Sequence, residues 1–263
     1  CALFPIHHTY YQIDAVAQQA LSAWSGLGIV ALLLLKVGMA GICFGWVSVA
    51  FVVLSRSLQG QMARWVARKW MIALLGGLLV LAISALLGTV DYLGLGVASP
   101  HAGGVSILSA FAAGGADPYS WLWKLVLTAI TLSMGFKGGE VTPLFFIGAA
   151  LGNSLAMQLQ APVDLFAGLG LIAVFAAATN TPWASILMGI ELFGVPHTIY
   201  FVVACFTAYY ASGSYSIYSA QRFARGQQSV RAAHASSAPQ SHVHQPHAAR
   251  AAGADPYDET TTK

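Results

Sequence analysis

The chain has 263 residues, 57% of them hydrophobic and only 8% charged, with a formal net charge of +3 and a mean hydropathy of +0.68. Soluble domains carry about 25% charged residues, so the composition excludes an ordinary soluble enzyme or binding module and predicts an all-α membrane protein. The basic residues cluster, with Arg56, Arg64, Arg68 and Lys69 in one stretch and Arg222, Arg225, Arg231 and Arg250 in another; this is a topology signal rather than a nucleic-acid footprint.

Residues 1–20 are polar and rich in His, Tyr and Gln, and position 1 is Cys. The opening CALFPIHHTYYQID lacks the basic n-region and apolar h-region of a signal peptide, so it is expected to be a loop in a chain cut from a longer protein. Leu27 to Leu54 is apolar apart from Lys36 and a few small polar residues. At about 1.5 Å per residue it reaches roughly 42 Å as a helix, longer than a hydrocarbon core of about 30 Å, so a tilt or bend is expected. Ser55 to Trp70 carries the first basic cluster and is expected to be a cytoplasmic loop. Met71 to Val90 has no charge and is a plain transmembrane candidate. That crossing places Asp91 on the outer side.

The pattern then changes. Asp91 to Asp117 is Gly-rich and only weakly apolar, and five short apolar segments follow: Trp121–Gly135, Leu144–Met157, Leu165–Thr179, Trp183–Phe193 and Thr198–Ser212. None is long enough to span a bilayer comfortably as a straight helix. Short segments broken by Gly and Pro are the mark of discontinuous, re-entrant helices, whose ends must be buried in protein or line a cavity. Beyond Arg222 the chain is a polar tail of Ala, Ser, His, Gln and Pro, expected to be disordered over 227–263. Cys43 and Cys205 lie inside apolar segments and are expected to be small buried hydrophobes outside any disulfide framework.

The stretch GFKGGEVTP, residues 135–143, interrupts this apolar half with a lysine, a glutamate and three glycines. Thr142 before Pro143 predicts an N-cap followed by a first helical residue, and Gly138 and Gly139 allow a sharp turn and close approach of a bound group. The helix would then start with free amides and the positive end of its dipole, suited to an anion; a tight turn between two packed helices explains the same residues. The device recurs at Asn180-Thr181-Pro182, ahead of WASILMGIELFG. Tyr215 and Tyr218, in SYSIYSA, offer hydroxyls near the end of the last apolar segment, where tyrosines also serve as interfacial anchors.

GGEVTPLFFIGAALG resembles the Gly-x-Phe-x-Pro anion-binding loop and following helix of the CLC chloride channel and proton/anion antiporter family. AAATNTPWASILMGIELFG resembles that family's later broken-helix pair. SIYSAQRFARGQ is similar to its Pro-Leu-Tyr-Ser stretch, whose tyrosine hydroxyl contacts the central anion; the matching position is Tyr218. The three motifs occur in the family's order, and the likeness covers residues 22–226. It implies the second half of an inverted-repeat transporter with tilted and broken helices. The implied domains are an inter-repeat loop over 1–20, a transmembrane repeat with the final helix over 21–226, and a cytoplasmic tail over 227–263.

The implied anion-binding residues are Gly139, Glu140, Val141, Thr142 and Tyr218. The implied partners are chloride or fluoride, protons, the lipid bilayer and a second copy of the chain, in a bacterial inner membrane, with no nucleic acid and no cofactor. The family's loop carries a large apolar residue and Phe where this chain has Glu140 and Val141, so the likeness is closest to a prokaryotic subgroup with an acidic loop residue, and fluoride is the alternative to chloride. The first repeat's Gly-Ser-Gly-x-Pro and Gly-Arg/Lys-Glu-Gly loops are absent from this sequence. The chain is therefore expected to be a fragment holding half an anion pathway, with a nonfunctional remnant as the other outcome.

A carboxylate at Glu140 would repel the anion unless it is protonated, paired with Lys137 or turned into a water-filled vestibule; the first state would permit proton coupling. Glu191 is expected to bond backbone amides and is given no transport role. His234, His242, His244 and His247 sit in the tail without carboxylate or thiol partners, so no metal site is expected. An intramembrane enzyme would need a catalytic constellation, yet His101 and His197 stand beside no Ser-Gly nucleophile loop or paired Asp motif.

Overall fold

The computed structural model of the chain describes residues 26–65, 69–99, 103–136, 138–213 and 215–218. The expected loop over 1–20, the tail over 227–263 with its histidines, Lys137 and His101 lie outside them. The described helices are α1 (Gly26–Trp65), α2 (Lys69–Leu87), α3 (Ser120–Ser133), α4 (Val141–Leu159), α5 (Val163–Thr179), α6 (Pro182–Phe193) and α7 (Thr198–Ser212). No strand occurs among the described residues.

Helix α1 is 40 residues long, so it reaches roughly 60 Å. It absorbs most of the loop expected over 55–70. The reason lies in composition: SRSLQGQMARW has no proline, and Arg, Leu, Gln, Met and Ala are good helix formers, so polarity ends the apolar stretch without ending the helix. By length and composition, residues 30–62 of α1 and all of α4 could cross a membrane, and α2, α3, α5 and α6 are shorter apolar helices.

Helix α5 lies at the centre. Every residue from Leu165 to Val174 is buried, as expected of a helix that is apolar on all sides. Its most extensive partner is α4. A Cβ on Gly148 would stand 2.2 Å from the Gly170 carbonyl oxygen, and one on Gly152 would stand 2.1 Å from that of Phe166. The small residues let the two backbones touch, which replaces side-chain interdigitation by direct main-chain packing. Helix α7 packs on both α1 and α5 and buries Tyr200, Phe201, Ala204, Cys205 and Ala208. Cys205 is buried and Cys43 half-buried, both as free thiols.

Among the described residues, the Gly-rich stretch between α2 and α3 has one short 3-10 turn, Ser109–Phe111, so its backbone needs other partners. Asp91 accepts from the Ser99 hydroxyl at 2.7 Å and the Val105 N–H at 3.0 Å. Asn153 of α4 donates to the carbonyls of Ala110 (2.7 Å) and Ala112 (2.8 Å). The fully buried Lys124 of α3 donates to the carbonyls of Tyr92 (3.1 Å) and Gly94 (2.7 Å), and its ammonium lies 5.0 Å from the Phe146 ring centroid. Side chains of α3 and α4 thus hold an irregular segment over the helices.

Candidate anion site

Helix α3 closes with the Gly135 N–H donating to Leu132 (3.3 Å) and the Phe136 N–H donating to Thr131 (3.3 Å), with Gly135 at φ +85°. This pair of bonds around a left-handed glycine is a Schellman stop. The sharp turn expected at Gly138 and Gly139 therefore falls at Gly135, and neither of the other two glycines adopts a positive φ.

Helix α4 starts earlier than the Thr-Pro pair suggested. Glu140 occupies the N-cap, with no side-chain cap bond, and Val141 is the first helical residue. Thr142 and Pro143 sit inside the first turn, where proline is tolerated because its missing N–H would be an orphan anyway. The ladder opens with the Leu144 N–H bonded to the Glu140 carbonyl at 3.3 Å. The Val141 and Thr142 amides precede it, at the positive end of a 19-residue helix. At the second device, Thr181 is the N-cap and Pro182 the first residue, as expected. Its hydroxyl pairs with that of Thr179 at 2.6 Å instead of capping an amide.

The loop lines two cavities. One, of about 230 Å³, meets Gly138, Gly139 and Pro143 with Tyr92, Thr128 and Thr131. The other, of about 190 Å³, is bounded by Glu140, Ser133 of α3, the Ser55–Gln59 turn of α1, and Ile217. The segment after α7 is held from two sides: the Ile217 N–H donates to the Ala178 carbonyl of α5 at 2.8 Å, and the Arg56 guanidinium donates to the Ser216 carbonyl.

Of the predicted residues, Gly139 is exposed, Glu140 and Thr142 are half-buried and Val141 is exposed, all within one short stretch. Tyr218 is 48% exposed and lines neither cavity; its neighbour Ile217 reaches the cavity that contains Glu140. Glu191 is exposed and makes no hydrogen bond among the described residues. The amide contacts expected for it do not form, because it lies in the middle of the last turns of α6, where the backbone donors are already used by the helix. Two residues escaped the sequence reading. Arg56 reads from sequence as a loop charge, and Lys124 has no role in that reading; its place inside the apolar segment Trp121–Gly135 is the one signal of a buried position.

Comparison with known proteins bears on this geometry. The model of the voltage gated chloride channel family matches residues 10–213. A chloride/fluoride channel protein of Pseudomonas syringae pv. tomato is 41% identical over 221 residues, covering 82% of this chain and 45% of that protein. An H(+)/Cl(-) exchange transporter of Salmonella arizonae, ClcA, is 29% identical over 168 residues, covering 58% of this chain and 33% of that protein. The crystal structure of a CLC-type fluoride/proton antiporter superposes with a TM-score of 0.66 at 38% identity, over 72% of this chain and 46% of the other. This chain spans less than half the length of these relatives. With the family match extending from residue 10 past the end of α7 to residue 213, the chain belongs to the voltage gated chloride channel family.

Proposed function

We propose that the protein carrying this chain moves a small inorganic anion, chloride or fluoride, across a bacterial inner membrane. The observation that carries this reading is the loop of 135–143: a helix stop, a glycine pair and a helix start whose first amides have no partner among the described residues, lining two cavities, in a chain of this family. The amides at Gly139, Glu140, Val141 and Thr142 and the Tyr218 hydroxyl replace part of the anion's hydration. Dipoles rather than full charges bind selectively yet release readily. Residues 21–226 form the transmembrane repeat, and the basic stretches face the cytoplasm with the tail. Trp183, Leu187, Ile199 and Tyr210, all exposed on α6 and α7, form the part of a homodimer surface that this chain supplies.

Fluoride is the reading favoured within this pair of ions. The 41% identical relative is a chloride/fluoride channel protein and the 38% identical structure a fluoride/proton antiporter, and Glu140 supplies a protonatable group beside the anion loop. Proteoliposome flux of each anion, recorded with the accompanying pH change, tests the proposal. Glu140→Gln should leave anion flux running while removing its proton coupling. An unchanged proton-to-anion ratio in that variant would show that Glu140 carries no proton.

A further inference from the structure

A third cavity, of about 660 Å³, lies between the end of α2 and the Gly-rich stretch and includes no residue of the 135–143 loop. That volume suits an organic ligand rather than a lone ion. Its walls differ in chemistry. Leu81, Ala85 and Val90 are apolar and exposed, whereas Asp91 and Gly104 bring a carboxylate and bare backbone. A carboxylate has about four acceptor positions. Asp91 uses two of them, for the Ser99 hydroxyl and the Val105 N–H, and forms no ion pair among the described residues. A Cβ at Gly104 would stand 2.8 Å from each of its oxygens, so a side chain there would cover the carboxylate and glycine leaves it open. A negative charge with spare acceptor positions selects a cationic donor.

Helix α2 indicates what carries that donor. Among its described side chains only Gly76 and Ser84 are buried, so most of the helix faces outward. Leu74, Leu78, Leu81 and Ala85, all exposed, recur three or four residues apart and form one stripe. The stripe runs roughly 16 Å, about half of a hydrocarbon core of about 30 Å, and its last two members line the cavity. Half the core is the depth of one leaflet. We infer that stripe and cavity together bind a phospholipid with a primary ammonium headgroup, phosphatidylethanolamine, its acyl chain along the leucines and its ammonium on Asp91. An ammonium has three N–H donors, enough to fill both spare positions of the carboxylate. Lys69 and the basic stretch stand at the other end of α2, which assigns the lipid to the outer leaflet. This inference rests on the membrane reading of the chain and is independent of the anion site.

The test is native mass spectrometry of the purified full chain released from nanodiscs of equimolar phosphatidylethanolamine, phosphatidylglycerol and phosphatidylcholine. The unaltered chain should retain phosphatidylethanolamine about tenfold over the other two, because Asp91 repels the anionic headgroup and choline has no N–H to donate. Asp91→Asn should remove that preference. Ala85→Trp narrows the cavity while leaving the Asp91 bonds in place, and should cut phosphatidylethanolamine retention about threefold. Equal retention of the three headgroups by the unaltered chain overturns the site, and so does no retained lipid, since protein rather than lipid would then cover α2. An unchanged preference in Asp91→Asn also overturns it; if that variant does not fold, unchanged retention in Ala85→Trp does so. Phosphoethanolamine without acyl chains should bind far more weakly, and binding as tight as that of the whole lipid would overturn the lipid assignment. Release of the chain from vesicles by alkaline carbonate would contradict the membrane reading itself, whereas failure of the lipid site leaves anion transport untouched.

Discussion

Tyr218 and Lys124 show how differently two polar residues in an apolar chain are used. Tyr218 is exposed and its amide donates to the Ser216 hydroxyl at 3.2 Å, so its own hydroxyl is available to a ligand. Tyr218→Phe removes one donor without disturbing packing. Calorimetry should show anion binding weakened by about 0.5–1.5 kcal/mol, roughly threefold to tenfold, if the hydroxyl contacts the anion; equal affinity would remove Tyr218 from the site. Lys124 is the opposite case, fully buried and committed to the Tyr92 and Gly94 carbonyls. Lys124→Met keeps the volume but strips both acceptors of their donor, and should cost about 1–3 kcal/mol in thermal unfolding. A variant as stable as the parent would show that those carbonyls find other partners.

Among the elements, the α4–α5 pair is the most sharply specified. Gly148→Ala places a methyl group where the Gly170 carbonyl stands, and backbone cannot rotate away as a side chain would. The two helices must part, at a cost of about 1–3 kcal/mol or more. Gly38→Ala in α1 meets nothing within 4 Å and should instead gain up to about 1 kcal/mol of helix propensity. Opposite shifts of the unfolding midpoint for these two substitutions would confirm the packing; equal shifts would not fit it. Much of this was legible in the sequence. The short apolar segments placed α3 to α7, and Thr181-Pro182 gave the start of α6, because proline at the first position reports on backbone alone. The start of α4 moved to Val141 because a proline is tolerated anywhere in a first turn. The run of α1 past Ser55 was hidden, since polarity marks the end of a membrane segment and says little about the end of a helix. Arg56 could not be placed for the same reason: its role depends on Ser216, distant in sequence and brought near by α5.

For the whole molecule, the described helices bring together the start of α4, two cavities lined by its loop, and a tyrosine carried by a segment anchored to α1 and α5. The chain covers 45% of a 41% identical relative. The most direct test is anion efflux from loaded proteoliposomes holding the purified chain at known density, followed with fluoride- and chloride-selective electrodes. The account predicts release of trapped anion above protein-free vesicles, reduced by Tyr218→Phe. Vesicles that stay as tight as the protein-free controls, for both anions and at every protein density, would contradict it.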